Sequence, residues 1–173
     1  MAYPARSGYT VDDLDWLRDE IGVAHLELDP WGSLIVSPAD DPHEIAAARL
    51  ARQAIEQLSH TVSVNGLGWI VPGGTGYLMV PDLTVLEPGW RRVDDLHFDP
   101  PPLLVVEIAS PSSRRADRGR KLADYGLGGA EKYLLVDLPS SFELHEFAAG
   151  TVVTSTGSLE CEVGEEPVRF TLP

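Results

Sequence analysis

Two spacings of apolar residues run along the chain: a helical one of about 3.6 residues and a strand one of about 2. Leu14, Trp16 and Leu17 give Val11 to Glu20 the pattern of a short helix. Thr10 is its expected N-cap, and Asp12 and Asp13 fall in the first turn, where the helix dipole favours acids. His25 to Asp29 and Ser33 to Ser37 read as a hairpin around Pro30-Trp31-Gly32. Asp41-Pro42 opens a long Ala-rich helix to about Leu58, with Ile45, Leu50, Ile55 and Leu58 as expected core positions. Strand patterns follow at Thr61 to Asn65, Trp69 to Val71 and Tyr77 to Leu86.

Leu103 to Ala109 is almost continuously apolar after the turn Pro100-Pro101-Pro102, the pattern of a central strand covered on both faces. Ser110-Pro111-Ser112-Ser113 is a helix-start signal, and the helix is expected to run to about Tyr125, before Gly126, Gly128 and Gly129. Lys132 to Leu138, Phe142 to Phe147, Thr151 to Ser155 and a strand near Val168 to Leu172 form an antiparallel C-terminal part. Strands between helices followed by a run of strands predict an α+β fold with a mixed sheet. No repeat, low-complexity tract or linker divides the 173 residues, so one domain, 1–173, is expected.

Composition adds a charge problem. The chain is 43% hydrophobic and 23% charged, ordinary for a globular protein, but 27 acidic residues against 13 basic leave a net charge of −14. That balance repels polyanions and argues against loose, charge-driven binding of nucleic acid, without excluding a local basic patch. Arg114, Arg115, Arg118, Arg120 and Lys121 make such a patch, with Arg91 and Arg92 as a pair upstream; an Arg-rich helix face can also simply be solvated. From Leu134 onward there are seven acids and one base, Arg169. The lone Cys161 excludes an internal disulfide and a Cys-based zinc site and fits a reducing cytoplasm. The first twenty residues lack the apolar stretch of a signal peptide, and no apolar run is long enough to cross a membrane.

The sharpest chemical signal is a pair of acids inside apolar strands: Asp82 in LMVPDLTVL and Glu107 in LLVVEIA. A buried carboxylate is costly unless it is paired or coordinates something. Successive strands can bring two such groups together as a hard oxygen site suited to Mg²⁺, which uses few protein carboxylates and keeps several waters. Lys121 lies on the next helix, where Asp117, Lys121 and Tyr125 at i, i+4 and i+8 share one face. A lysine there could position an attacking water or offset charge developing on a phosphate.

At these residues the chain resembles the Uma-type restriction endonuclease family, a branch of the PD-(D/E)XK nuclease superfamily. The resemblance rests on PDLTVLE, PPLLVVEIASPSSRRADRGRKLADYG and EKYLLVDL, and upstream on HLELDPWGSLIVSPADDPHEIAAARL; it spans about 24–138. It implies a restriction-endonuclease-like mixed sheet flanked by helices, DNA as substrate, and Mg²⁺ or Mn²⁺ as cofactor. By the same resemblance Asp82 and Glu107 are metal-binding acids, the Ile108 carbonyl is a further metal ligand, and Lys121 is the catalytic lysine moved from strand to helix. Position 109 is Ala, so the strict tripeptide is absent, as in the migrated-lysine variant or in a dead site. Asp117, Tyr125, Glu27 and His43 match supporting positions, and Arg114, Arg115 and Arg118 are candidates to hold flanking phosphates. A homodimer, by analogy with that superfamily, would reach both strands.

Blander readings stand beside these. Asp82 and Glu107 could be edge acids, Lys121 a surface partner of Asp117, His43 a helix-terminal residue, and Glu27 half of a hairpin salt bridge. A fold that kept its shape and lost its chemistry would serve as a regulatory or protein-binding module, which the acidic balance favours. A two-carboxylate glycosidase would leave Lys121 and the arginines without a task. His43-Glu44 is not a zinc-protease motif, since position 47 is Ala; Gly73-Gly74-Thr75-Gly76 is not followed by Lys-Ser/Thr; no Gly-x-Ser-x-Gly occurs.

Overall fold

The computed structural model describes residues 8–10, 13–14, 17, 25–29, 31–37, 41–64, 68–70, 78–90, 101–111, 113–139 and 141–172. Most of the expected N-terminal helix, the Gly73–Gly76 turn, Arg91, Arg92, Pro100 and Ser112 lie outside the described residues. At the helix start the Thr10 N–H and hydroxyl both donate to Asp13 Oδ2, each at 2.8 Å. Leu14 and Leu17 are buried.

The first hairpin is β1 (His25–Leu28) and β2 (Leu34–Ser37). Its turn is built by Asp29, whose Oδ1 accepts from the N–H groups of Trp31 and Ser33, and by Gly32 at φ +79°. Helix α1 (Asp41–Gln57) follows, then β3 (Thr61–Val64), β4 (Trp69–Ile70), β5 (Leu78–Met79), β6 (Leu83–Leu86) and β7 (Leu104–Ala109). A helical run joins α2 (Arg114–Ala116), a π-helical stretch (Asp117–Lys121) and α3 (Leu122–Leu127). Strands β8 (Lys132–Asp137), β9 (Ser141–Glu146), β10 (Thr151–Thr156), β11 (Ser158–Val163) and β12 (Glu166–Thr171) complete the chain.

These strands make a six-stranded sheet of order β10-β9-β8-β7-β6-β3, a four-stranded sheet of order β2-β1-β5-β4, and the hairpin β11-β12. Only β7 and β8 run parallel in the large sheet, joined by the helical run, so the sheet is mixed as expected. Two cores lie on its two faces. On one, α1 and the β11-β12 hairpin cover Leu83, Val85, Leu104, Val106, Ile108, Leu134 and Val136. On the other, Trp69, Leu26, Leu28, Leu78 and Tyr125 meet Val105, Ala109, Tyr133 and Leu135. Alternation along β7 therefore sends Glu107 into the second core, between Val105 and Ala109.

Three expectations are corrected. Ile45 and Ile55 are 65% and 61% exposed, while Ala46, Ala47, Leu50, Ala51, Ala54 and Leu58 are buried. The alanines let α1 lie close on the sheet, and the isoleucines sit one helical position outside that stripe. The run Tyr77 to Leu86 is two strands in different sheets, because Pro81 lacks an N–H and the chain leaves the small sheet there. Ser158–Val163 is an additional strand, pairing with β12. Edge strand β12 is in turn capped by α1: Gln53 bonds the backbone N–H and C=O of Thr171, and Gln57 those of Arg169.

Gly128 ends the helical run where an added Cβ would lie 2.3 Å from two ring atoms of buried Trp69. Gly128→Ala is therefore expected to destabilise the fold by about 1–3 kcal/mol in urea unfolding; an unchanged midpoint would show that the ring yields freely.

Candidate active site

Four buried acids and one buried lysine occupy the second core. Glu27, Asp82, Glu107 and Asp117 are 6%, 8%, 3% and 1% exposed, and Lys121 is 7% exposed. They come from four parts of the chain. Strand β1 carries Glu27, the break between β5 and β6 carries Asp82, β7 carries Glu107, and the π stretch carries Asp117 and Lys121. The antiparallel pair sets Leu83 opposite Val106, so Asp82 and Glu107, one residue further along each strand, occupy neighbouring backbone positions.

Lys121 Nζ is the hub. It lies 3.1 Å from both oxygens of Glu107, 2.9 Å from Glu27 Oε1 and 3.9 Å from Asp117 Oδ1. The Tyr125 hydroxyl donates to Glu107 Oε1 at 2.7 Å. The Val80 N–H donates to Glu27 Oε1 at 3.0 Å, so the small sheet fixes the acid that holds the ammonium. Asp82 takes no part in the lysine cluster: Oδ2 accepts the Ile108 N–H at 2.7 Å, and Oδ1 lies 2.8 Å from His43 Nε2. Ile108 itself turns its side chain into the opposite core.

A stack of rings backs the cluster. Tyr125 lies between Trp69 and Tyr133, with centroids 5.3 and 5.7 Å away, and the Tyr133 hydroxyl donates to the backbone carbonyl of Asp117 at 3.0 Å. That carbonyl opens the π stretch, a helix variant that often marks functional sites. Sequence reasoning missed Trp69 and Tyr133; the trace was a polar-tipped aromatic in each of two short apolar strands.

Electrostatics follow from the crowding. Burial raises the Glu107 pKa well above the usual carboxylate range; Lys121 opposes the rise, and Asp82, Glu27 and Asp117 add to it. Burial likewise raises Asp117. Burial alone would lower Lys121, but Glu107, Glu27 and Asp117 outweigh it and lift the ammonium above its ordinary value. Three acids around one ammonium, with Asp82 buried on the neighbouring strand position, crowd more carboxylates together than a single lysine pairs with. A divalent cation fits that crowding, and Asp82, Glu107 and the Ile108 carbonyl are the hard oxygen donors it prefers. No ready-made cluster of three or more His, Cys, Asp or Glu ligands occurs among the described residues. Two carboxylates and a carbonyl would suffice for an ion that keeps several waters.

The arginines stand apart. Arg114 Nη2 and Arg118 Nη2 lie 2.6 and 3.1 Å from the two oxygens of Asp137, and Arg118 Nε is 3.6 Å from Glu143. Arg115 is exposed. Cys161 is free and partly buried, its thiol pushed up to about 11 by burial, which makes it a poor nucleophile. No helix among the described residues is long and apolar enough to cross a membrane.

A mixed sheet with an acid in its central strand, and a lysine returned to that acid by the next helix, defines a restriction-endonuclease-like α+β protein. The chain belongs to the Uma2 family, described as "putative restriction endonuclease", whose family model matches residues 18–158. Among solved structures it is similar to one described as "a putative nuclease belonging to DUF820" from Anabaena variabilis. The TM-score is 0.55 at 14% identity, over 77% of this chain and 76% of that one. At that identity the likeness concerns the fold. No curated protein matches the chain.

Removing the ammonium strands the acids around it. Lys121→Met is expected to cost about 3–5 kcal/mol of stability near neutral pH, read by chemical unfolding; a cost under about 1 kcal/mol would mean the cluster is solvated.

Glu107 also sets a pH dependence. With its pKa raised in the folded state, the native protein holds the extra proton, so its contribution favours folding at low pH and fades as pH rises from its unfolded value through the raised one. As pH rises above the ordinary carboxylate range, Glu107→Gln should lose less stability than the native chain; parallel curves would rule out a raised Glu107.

Proposed function

We propose that the protein is a metal-dependent endonuclease that hydrolyses phosphodiester bonds in DNA, built as one nuclease-like domain of the PD-(D/E)XK type and acting in the cytoplasm. The observation that carries this reading is the Lys121 ammonium held against both oxygens of Glu107 amid more buried negative charge than it can balance. A structural ion pair needs one acid for one lysine; a site with three acids within 4.0 Å of that lysine is arranged to receive further positive charge. Membership of the Uma2 family supports the same reading.

Asp82, Glu107 and the Ile108 carbonyl would hold Mg²⁺ or Mn²⁺. Such an ion, when bound, polarises a phosphoryl oxygen and lowers the pKa of a bound water. The chain's own residues do the rest. Tyr125 fixes the rotamer of Glu107 through its hydroxyl, and the Ile108 N–H fixes that of Asp82. Lys121, raised in pKa and thus charged across the physiological range, offers its protons to the water or to charge developing on the phosphate. Glu27 and Asp117 keep the ammonium in place, His43 braces Asp82, and Arg114, Arg115 and Arg118 are the candidate contacts to flanking phosphates. A homodimer would bring one site to each strand.

Nicking of supercoiled plasmid by the purified protein tests this. Cleavage is expected with Mg²⁺ or Mn²⁺, abolished by EDTA, and reduced by about 100-fold or more in Asp82→Ala and Lys121→Ala variants that remain folded. Absence of cleavage by the intact protein under both metals would favour a non-catalytic module on the same fold.

A further inference from the structure

The arginine-rich turn faces a shallow cleft lined by Pro111, Arg114, Arg115, Arg118 and Gly119. Two of these arginines are already engaged. Asp137 presents one oxygen to Arg114 and the other to Arg118, from successive turns of the helical run, which is how two guanidinium groups would hold a phosphate. Asp137 ends β8, directly opposite Ala109 at the end of β7, two residues beyond Glu107. Ligands of sheets with parallel strands collect at those carboxyl ends. The three charged side chains are partly exposed, at 45%, 40% and 19% for Arg114, Arg118 and Asp137, so an incoming anion can reach them.

We propose that Asp137 occupies the Arg114–Arg118 fork as an internal stand-in for a backbone phosphate of the DNA, and that substrate binds by displacing it. The displacement sets affinity. In a chain of net charge −14, the fork brings two cations together on the described surface, and an acid within the fork weakens nonspecific DNA binding while leaving a site that a correctly placed phosphate can claim. Glu143 holds Arg118 from its other side at 3.6 Å and is itself 2.8 Å from His145 Nε2. With that support, Arg118 keeps its place when Asp137 swings away. The alternative role for Asp137, positioning the arginines for DNA, predicts the opposite response to its removal. The choice of ligand rests on the nuclease reading.

The test is equilibrium binding of a short fluorescein-labelled DNA duplex, by anisotropy, to the full chain carrying Asp82→Ala so that no cleavage intervenes. Adding Asp137→Asn, which keeps shape and removes charge, should tighten binding by about 2- to 30-fold, the scale of two exposed ion pairs released. It should also steepen the dependence on salt by about one to two phosphate contacts. Asp137→Ser guards against a residual amide contact and should behave alike, with melting curves confirming both folds. Adding Arg114→Gln and Arg118→Gln should return affinity to the starting level. Unchanged or weakened binding in both Asp137 variants, or no binding by any variant, overturns the proposal. Plasmid nicking by the native chain separates the two ideas. Nicking without tighter binding removes the displacement alone, whereas tighter binding without nicking keeps the phosphate fork and removes the nuclease.

Discussion

One buried ammonium holds together the charged centre of this protein. Lys121 gathers Glu27 from the small sheet, Glu107 from the centre of the large sheet and Asp117 from its own helical run. Desolvating any one of those carboxylates alone would be prohibitive in an apolar core, so their burial depends on sharing this cation. The same sharing is incomplete, because one positive charge faces several negative ones. The structure tolerates these acids because of Lys121, which pairs with three of them at once.

The surrounding architecture keeps that arrangement in register. The parallel pair β7-β8 needs a crossover, and the crossover is the helical run that returns Lys121 and Tyr125 over Glu107. Trp69, Tyr125 and Tyr133 form a rigid apolar wall that keeps water off one side of the cluster, with hydroxyls spent on Glu107 and on the Asp117 carbonyl. On the opposite face α1 and the β11-β12 hairpin seal the sheet with an apolar core, and α1 also reaches Asp82 through His43. The two cores thus differ, the first built mainly of apolar side chains and the second packed around the Lys121 cluster.

Surface charge carries a second tension. An acidic chain that acts on a polyanion must confine its attraction to a small area, and here the arginines of the helical run lie at the sheet end nearest the acids. Pairing two of them with Asp137 keeps even that area nearly neutral at rest. Attraction then depends on geometry more than on net charge.

Much of this was legible in the residues themselves. The unbroken apolar run around Glu107, the acid after Pro81, and the spacing of Asp117, Lys121 and Tyr125 are local patterns, and burial rules read them correctly because a charged group inside an apolar strand has few tolerable fates. Hairpin turns at Asp29 and Gly32 were equally local. What the chain could not disclose was which partners meet across long separations. The placement of Glu27 beside Lys121, His43 beside Asp82 and Asp137 between two arginines depends on strand order, and α1 turning Ile45 and Ile55 outward depends on how closely its alanines approach the sheet. Local sequence set which side chains needed a partner; only the packing of sheets and helices chose it, since periodicity fixes a residue's face but not the neighbour that face will meet.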